Sequence, residues 1–134
     1  MSNLEKLIYS VYLSIYICYY LRLTNKNLRY DLISRINDVK FNAGNPKFTF
    51  NDITKMEQEF LLKNINLEKG ISKNRALLEN IFALFVAINN KVPIFIVGKP
   101  GSSKSLSVQL INRAMKGNLS TNFLFHSLLA FLLQ

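Results

Sequence analysis

Apolar positions come in blocks along this chain, and their spacing changes from helical to continuous and back. Residues 7 to 21, LIYSVYLSIYICYYL, are nearly all apolar, but Lys6, Ser10, Ser14, Cys18 and Arg22 recur every four residues. Such spacing draws one narrow polar line down a helix and predicts a mostly buried core helix. The abundance of β-branched and aromatic residues keeps a strand open as the alternative on composition alone. Leu28 to Ile36 continues as a second short helical pattern, with Leu32, Ile33 and Ile36 on one side. FNAGNPKFTFND, residues 41 to 52, then breaks the periodicity with Gly44 and the pair Asn45-Pro46, and is the best internal boundary.

Beyond that turn a helix is predicted to begin near Asp52 or Thr54, where Thr54 and Glu57 have capping-box spacing. It presents Met56, Phe60 and Leu61 on one face and stops at Gly70, a C′ residue. Ser72 is the expected cap of the next helix, in which Leu77, Leu78, Ile81, Phe82, Phe85 and Ile88 form a wide apolar stripe. Lys91-Val92-Pro93 interrupts it. The run PIFIV that follows, uninterruptedly apolar, reads as a strand covered on both faces in a parallel sheet. A last amphipathic stretch carries Leu106, Leu110 and Ile111 and ends with Lys116 and Gly117 as last-turn cation and C′ glycine.

Composition adds limits. The 134 residues are 49% hydrophobic, enough for the core of one domain-sized unit. A net charge of +9 favours a polyanionic partner, but the Lys and Arg residues are scattered and no basic stripe with interleaved aromatics exists. No nucleic-acid partner is therefore expected. The single cysteine, Cys18, forbids an internal disulfide and fits a reducing, cytoplasmic location. His126 has no acidic or cysteine companion at a useful spacing and is given no role. The apolar run 7 to 21 is shorter than the roughly twenty residues a spanning helix needs. Glu5 before it and bulky Tyr19, Tyr20 and Leu21 at its end do not suit a signal peptide. No membrane partner is expected.

The chemistry concentrates in GKPGSSKS. Gly98 stands first and Lys104-Ser105 last, with the spacing G-x-x-x-x-G-K-[ST] of a phosphate-binding loop except that Ser103 fills the second glycine. Phosphate charge is neutralised by several backbone N–H groups converging on it, which requires a tight backbone with little side-chain bulk near Gly98 and Gly101. Lys104 adds a point charge toward the β and γ phosphates. The Ser105 hydroxyl is the candidate magnesium ligand, and the helix beginning there directs its positive end at the anion. If the backbone at Ser103 needs positive φ, a serine costs on the order of 1 kcal/mol, while its hydroxyl offers one more contact. The bland alternative is a serine-rich turn joining an ordinary strand to a helix.

These residues also carry a resemblance. EKGISKNRALLENIFALFVAINNKVPIFIVGKPGSSKSLSVQLINRAMKG, residues 68 to 117, is similar to the approach helix, first strand, Walker A loop and following helix of AAA+ modules in the mysterin family, including a serine at the place of Ser103. That family comprises giant RING-type E3 ubiquitin ligases with dynein-like ATPase cores. YYLRL at 19 to 23 and EQEFLLKN at 57 to 64 resemble, more weakly, the helical region preceding the module. The resemblance implies an α/β class in mostly helical form: a helical region over 1–50, the start of a P-loop AAA+ module over 51–117, and an apolar tail over 118–134. It implies ATP and Mg2+ as cofactors, with Gly98, Lys99, Pro100, Gly101, Ser102, Ser103, Lys104 and Ser105 at the phosphates, Leu106 completing the set, and Ser105 on the metal.

Hydrolysis in AAA+ proteins also needs an acidic Walker B strand, a sensor and an arginine finger. None is present here, nor is a RING, so a fragment of a longer protein or a truncated gene model is expected, binding ATP without hydrolysing it. Its partners would be nucleotide and the remainder of the AAA+ core. Two other readings stay open: a non-enzymatic helical interaction fragment with a vestigial loop, and a membrane-attached peptide using residues 7 to 21 or 123 to 133. A single parallel strand has no ladder partner unless a terminal segment supplies one, so a mostly helical structure is expected.

Overall fold

The structure, a computed structural model, describes residues 2–39, 48–65 and 67–115. Helices α1 (Asn3–Cys18), α2 (Lys26–Asp38), α3 (Phe50–Asn64), α4 (Arg75–Asn89) and α5 (Lys104–Met115) account for most of them, with a 3₁₀ turn at Tyr20–Arg22. The chain divides into two compact units, residues 1–57 and 58–134.

In the first unit the tyrosine-rich run is helical. Ser2 caps α1 in a reciprocal pair: its hydroxyl accepts from the Glu5 N–H at 3.2 Å, and its own N–H donates to the Glu5 carboxylate at 2.7 Å. Tyr12, Tyr16 and Tyr20 recur every four residues and are buried. All three rings meet Phe50 at centroid distances of 5.9, 6.2 and 5.7 Å, edge to face. Tyr20 also stacks on Tyr16, and the Arg29 guanidinium lies over the Tyr20 ring, 4.8 Å from its centroid. The polar line expected on α1 faces water at Lys6, Ser14 and Cys18, but Leu4, Leu7 and Val11 are exposed as well, so the helix buries one face rather than most of its surface. Asn25 caps α2, of which only Ile36 is fully buried; Leu32 and Ile33 are half-buried.

Helix α3 starts earlier than expected. Thr49, not Asp52 or Thr54, stands before its first turn: the Thr49 N–H donates to the Asp52 carboxylate at 2.9 Å and the Thr49 hydroxyl accepts from the Asp52 N–H at 3.2 Å. The Thr49 hydroxyl also donates to the Asp52 carboxylate at 2.7 Å, and this bond, with that from the Thr49 N–H, holds the Asp52 carboxyl below the usual carboxylate range. The earlier start draws Phe50 into the helix and changes which face is covered. Phe50, Ile53 and Glu57 are buried in the first unit, and Leu61 in the second, whereas Met56 is exposed. Of the expected boundary, residues 41 to 52, residues 41 to 47 lie outside the described residues and residues 50 to 52 belong to α3.

In the second unit α4 packs along α5. Leu77, Ile81, Phe82, Leu84, Phe85 and Ala87 of α4 and Ser107, Leu110, Ile111 and Ala114 of α5 are buried. The stripe on α4 is therefore close to the expected one, with Leu84 and Ala87 added and Ile88 exposed. Asn74, rather than Ser72, caps α4 by accepting from the Leu77 N–H at 2.9 Å. Gly70 is not a helix C′ residue, since α3 ends at Asn64; it supplies a positive φ of 97° to a separate turn. Lys116 and Gly117 lie outside the described residues.

Among the described residues there is no β-strand, and the PIFIV run is not covered. Phe95 is 91% and Val97 93% exposed. A strand exists only through its ladder, and no described segment pairs with this one. Among the described residues, too, no helix is long and apolar enough to cross a membrane; residues 123 to 133 lie outside them.

Glu57 is a carboxyl on a buried face, taking the Tyr9 hydroxyl as its hydrogen-bond donor. Desolvation pushes it up to about 7 from an ordinary value of 4.5. Between these values the folded chain holds a proton that the unfolded chain has released, so stability falls as pH rises through this window. We expect denaturant midpoints to drop between pH 5 and pH 7.5, and Glu57→Gln to abolish most of that drop and stabilise the chain at pH 7.5 by on the order of 1–2 kcal/mol.

Candidate phosphate-binding loop

The turn from residue 98 to residue 104 is closed by its own lysine. The Lys104 ammonium donates to the Gly98 carbonyl at 2.8 Å, the Lys99 carbonyl at 2.8 Å and the Ser102 hydroxyl at 3.1 Å. Those three bonds use all three of its N–H donors. The lysine thus folds inward across the bend rather than out into water. A further bond, from the Ser102 N–H to the Lys99 carbonyl at 3.3 Å, closes the inner turn.

The backbone explains the glycines. A Cβ on Gly98 would stand 2.8 Å from the Ser102 hydroxyl oxygen and 3.9 Å from the Lys104 nitrogen, inside the space the closure uses. Gly101 has φ +79° with open space around it, so its requirement is conformational rather than steric. Ser103 has φ +58°. The position where the sequence motif calls for glycine does therefore adopt the left-handed region, and the serine there bears a strain of about 1 kcal/mol.

Ser103 also heads α5: its carbonyl accepts the first helical bond, from the Ser107 N–H at 2.9 Å. Among the described residues the N–H groups of Ser103, Lys104, Ser105 and Leu106 have no acceptor, as expected of a helix start without a side-chain cap. Lys104 and Ser105 are the first two residues of α5. Ser105 is exposed with its hydroxyl unengaged among the described residues, Leu106 is half-buried, and Lys99 and Pro100 are exposed. Of the nine predicted site residues, the structure joins Gly98, Lys99, Ser102 and Lys104 directly by hydrogen bonds, with Gly101 and Ser103 shaping the backbone between them.

Two asparagines of the α4 segment reach the same loop and were not among the residues singled out. The Asn80 amide donates to the Ser102 carbonyl at 2.9 Å, and the Asn74 amide makes a longer contact with the Ser103 hydroxyl at 3.5 Å. Asn74 does both of its jobs at once, capping α4 with its oxygen and meeting the loop with its nitrogen. An asparagine just before an apolar helix is a readable cap signal; Asn80, within the helix, gives no such sign. Among the described residues no group of three or more His, Cys, Asp or Glu side chains could hold a metal ion.

The two positive-φ positions make opposite predictions. Ser103→Gly removes strain but loosens the unfolded chain, for a net gain of about 0.5 kcal/mol. Gly101→Ala, which must place a side chain at the same kind of backbone, loses about 1 kcal/mol. Urea midpoints of the two variants, read against the parent chain, check both signs.

Comparison with known proteins bears on this loop. Residues 70–133 match the RNF213 AAA domain model, a span that begins before α4 and contains the whole loop. The chain is 38% identical over 127 residues, 95% of its length, to E3 ubiquitin-protein ligase rnf213-beta of Danio rerio. It is 36% identical over 124 residues to E3 ubiquitin-protein ligase RNF213 of Homo sapiens and 32% identical over 124 residues to that of Mus musculus, 92% of its length in each case. It spans 2% of the length of each of these relatives. No solved structure matches. Similar along nearly all of its residues to these ligases, and matching their AAA domain model over the half that carries the loop, the chain belongs to the mysterin (RNF213) family.

Proposed function

We propose that residues 98–106 bind the phosphates of a nucleoside triphosphate, ATP with Mg2+, as the Walker A loop of an AAA+ module in a mysterin-like ATPase and E3 ubiquitin ligase. The observation that carries this is the pairing of unengaged N–H groups at Ser103, Lys104, Ser105 and Leu106 with an ammonium held across the same bend. Donors without acceptors and a cation beside them suit a polyanion. Gly98, Lys99, Pro100, Gly101 and Ser102 supply the tight backbone, Lys104 the charge for the outer phosphates, and Ser105 a hydroxyl for Mg2+. The metal takes its other ligands from phosphate and water. Bound nucleotide would bring charge for the loop to neutralise; the chain's own residues orient it.

In this reading residues 94–97 are the first strand of an α/β P-loop fold, exposed here for want of a ladder and paired by the rest of a longer chain. Residues 51–117 are then the approach helices, strand, loop and following helix of the module, and 1–50 a helical region before it. The partners are nucleotide and the remaining AAA+ core, in the cytoplasm. A second reading, a helical interaction fragment with a vestigial loop, draws on the exposed Phe95 and Val97 and on a Lys104 already satisfied within the loop.

Calorimetric titration with MgATP separates the two. We expect Lys104→Ala to weaken binding by about 30- to 100-fold, the loss of one charge-assisted contact. Ser105→Ala should retain nucleotide and lose the dependence on Mg2+. Equal affinity in the parent chain and Lys104→Ala would remove the phosphate role and leave the interaction reading.

A further inference from the structure

We infer that Asn80 is a positioning residue for the phosphate loop: it fixes which way the peptide between Ser102 and Ser103 faces. The inference rests on the phosphate-loop reading for its functional consequence, and on geometry alone for its structural one. The Asn80 amide bonds the Ser102 carbonyl at 2.9 Å. A carbonyl can only accept, so the amide nitrogen is the atom that faces it and the orientation of the side chain is settled by its partner. The chain has no cis peptide bond. In a trans peptide the C=O and the following N–H point opposite ways, so drawing the Ser102 carbonyl toward α4 turns the Ser103 N–H away from α4.

That N–H is the first of the run Ser103 to Leu106 left without an acceptor. Were the peptide to flip, an oxygen would stand where this donor does, opposing an anion there instead of binding one. The flip is a real alternative at this place. Such a flip turns the backbone about ψ of Ser102 and φ of Ser103, and Ser103 at φ +58° already bears strain that a flip could relieve. A peptide bordered by a strained residue needs an external restraint to hold a single conformation. Asn80 supplies it from α4, a helix that packs along α5 and is anchored by fully buried Leu77, Ile81 and Phe82. Asn74 adds the longer contact to the Ser103 hydroxyl and bears on the side chain rather than on the peptide.

The test follows the Ser103 amide by 15N NMR in the whole chain, with and without MgATP, in the parent, Asn80→Asp and Asn80→Gln. Asn80→Asp keeps the shape but replaces the donor with a carboxylate that the Ser102 carbonyl repels. Without nucleotide, the Ser103 amide should go from an ordered value of about 0.85 in its order parameter to below about 0.6 in Asn80→Asp. MgATP affinity should fall by about five- to tenfold. Asn80→Gln, which retains the donor on a longer arm, should recover part of both. Unfolding midpoints identify a variant that has lost its fold, in which case Asn80→Gln alone carries the comparison. An Asn80→Asp chain with an ordered Ser103 amide overturns the inference. A disordered amide in a chain whose parent binds no MgATP upholds the positioning and removes the phosphate reading instead.

Discussion

An ammonium group folded across a seven-residue bend is the contact on which the candidate site depends. Backbone carbonyls on one side of such a bend repel one another, and the amides on the other side lack acceptors, so an open turn of this shape would not hold itself together. Lys104 answers the first problem by bridging Gly98 and Lys99 with bonds of 2.8 Å each. The Ser102 hydroxyl then completes its set at 3.1 Å. The second problem is left unanswered, and that is the property a phosphate would use. Because the lysine is already held at the Gly98 and Lys99 carbonyls, an arriving anion meets a charge in place, and needs to draw only one of three donors toward itself.

Much of this was legible in the sequence. Gly98, Gly101, Lys104 and Ser105 stand at spacings that have a chemical reason, and the cost expected of a serine at position 103 turns on a positive φ, which is +58°. What the spacing could not reveal is the support from α4. Asn80 lies 22 residues before the carbonyl it meets and Asn74 lies 29 before the Ser103 hydroxyl. No local rule links positions so far apart; only the packing of α4 along α5 brings them together. The start of α3 departs from the expected one for a related reason. Thr49-Asp52 and Thr54-Glu57 share one spacing, and the choice between them falls to Phe50, which gains burial against Tyr12, Tyr16 and Tyr20 only if the helix begins at the earlier pair.

The tyrosine-rich segment shows the same competition decided the other way. By composition it suits a strand, but its rings recur every four residues, and a strand would send Tyr12, Tyr16 and Tyr20 to one side together with every second residue between them, polar Ser14 included. A helix separates them: Ser14 and Cys18 face water and the tyrosines are covered. Periodicity outweighs propensity here because burial of three aromatic rings is worth several kcal/mol, against the few tenths by which one residue's intrinsic preference differs.

The exposed run from Ile94 to Val97 gives the loop an unexpected independence. In the expected arrangement a buried strand leads into the bend and fixes its first residue, so a strand with no ladder should leave the loop undefined. Instead the bend keeps its closure with Phe95 and Val97 almost fully in water. Its anchors lie on the other side: Ser103 is the first acceptor of α5, and Asn80 restrains the peptide beside it from α4. Two packed helices therefore suffice to define residues 98 to 104, and a sheet, where one forms, would be added to a loop whose shape the helices have already set.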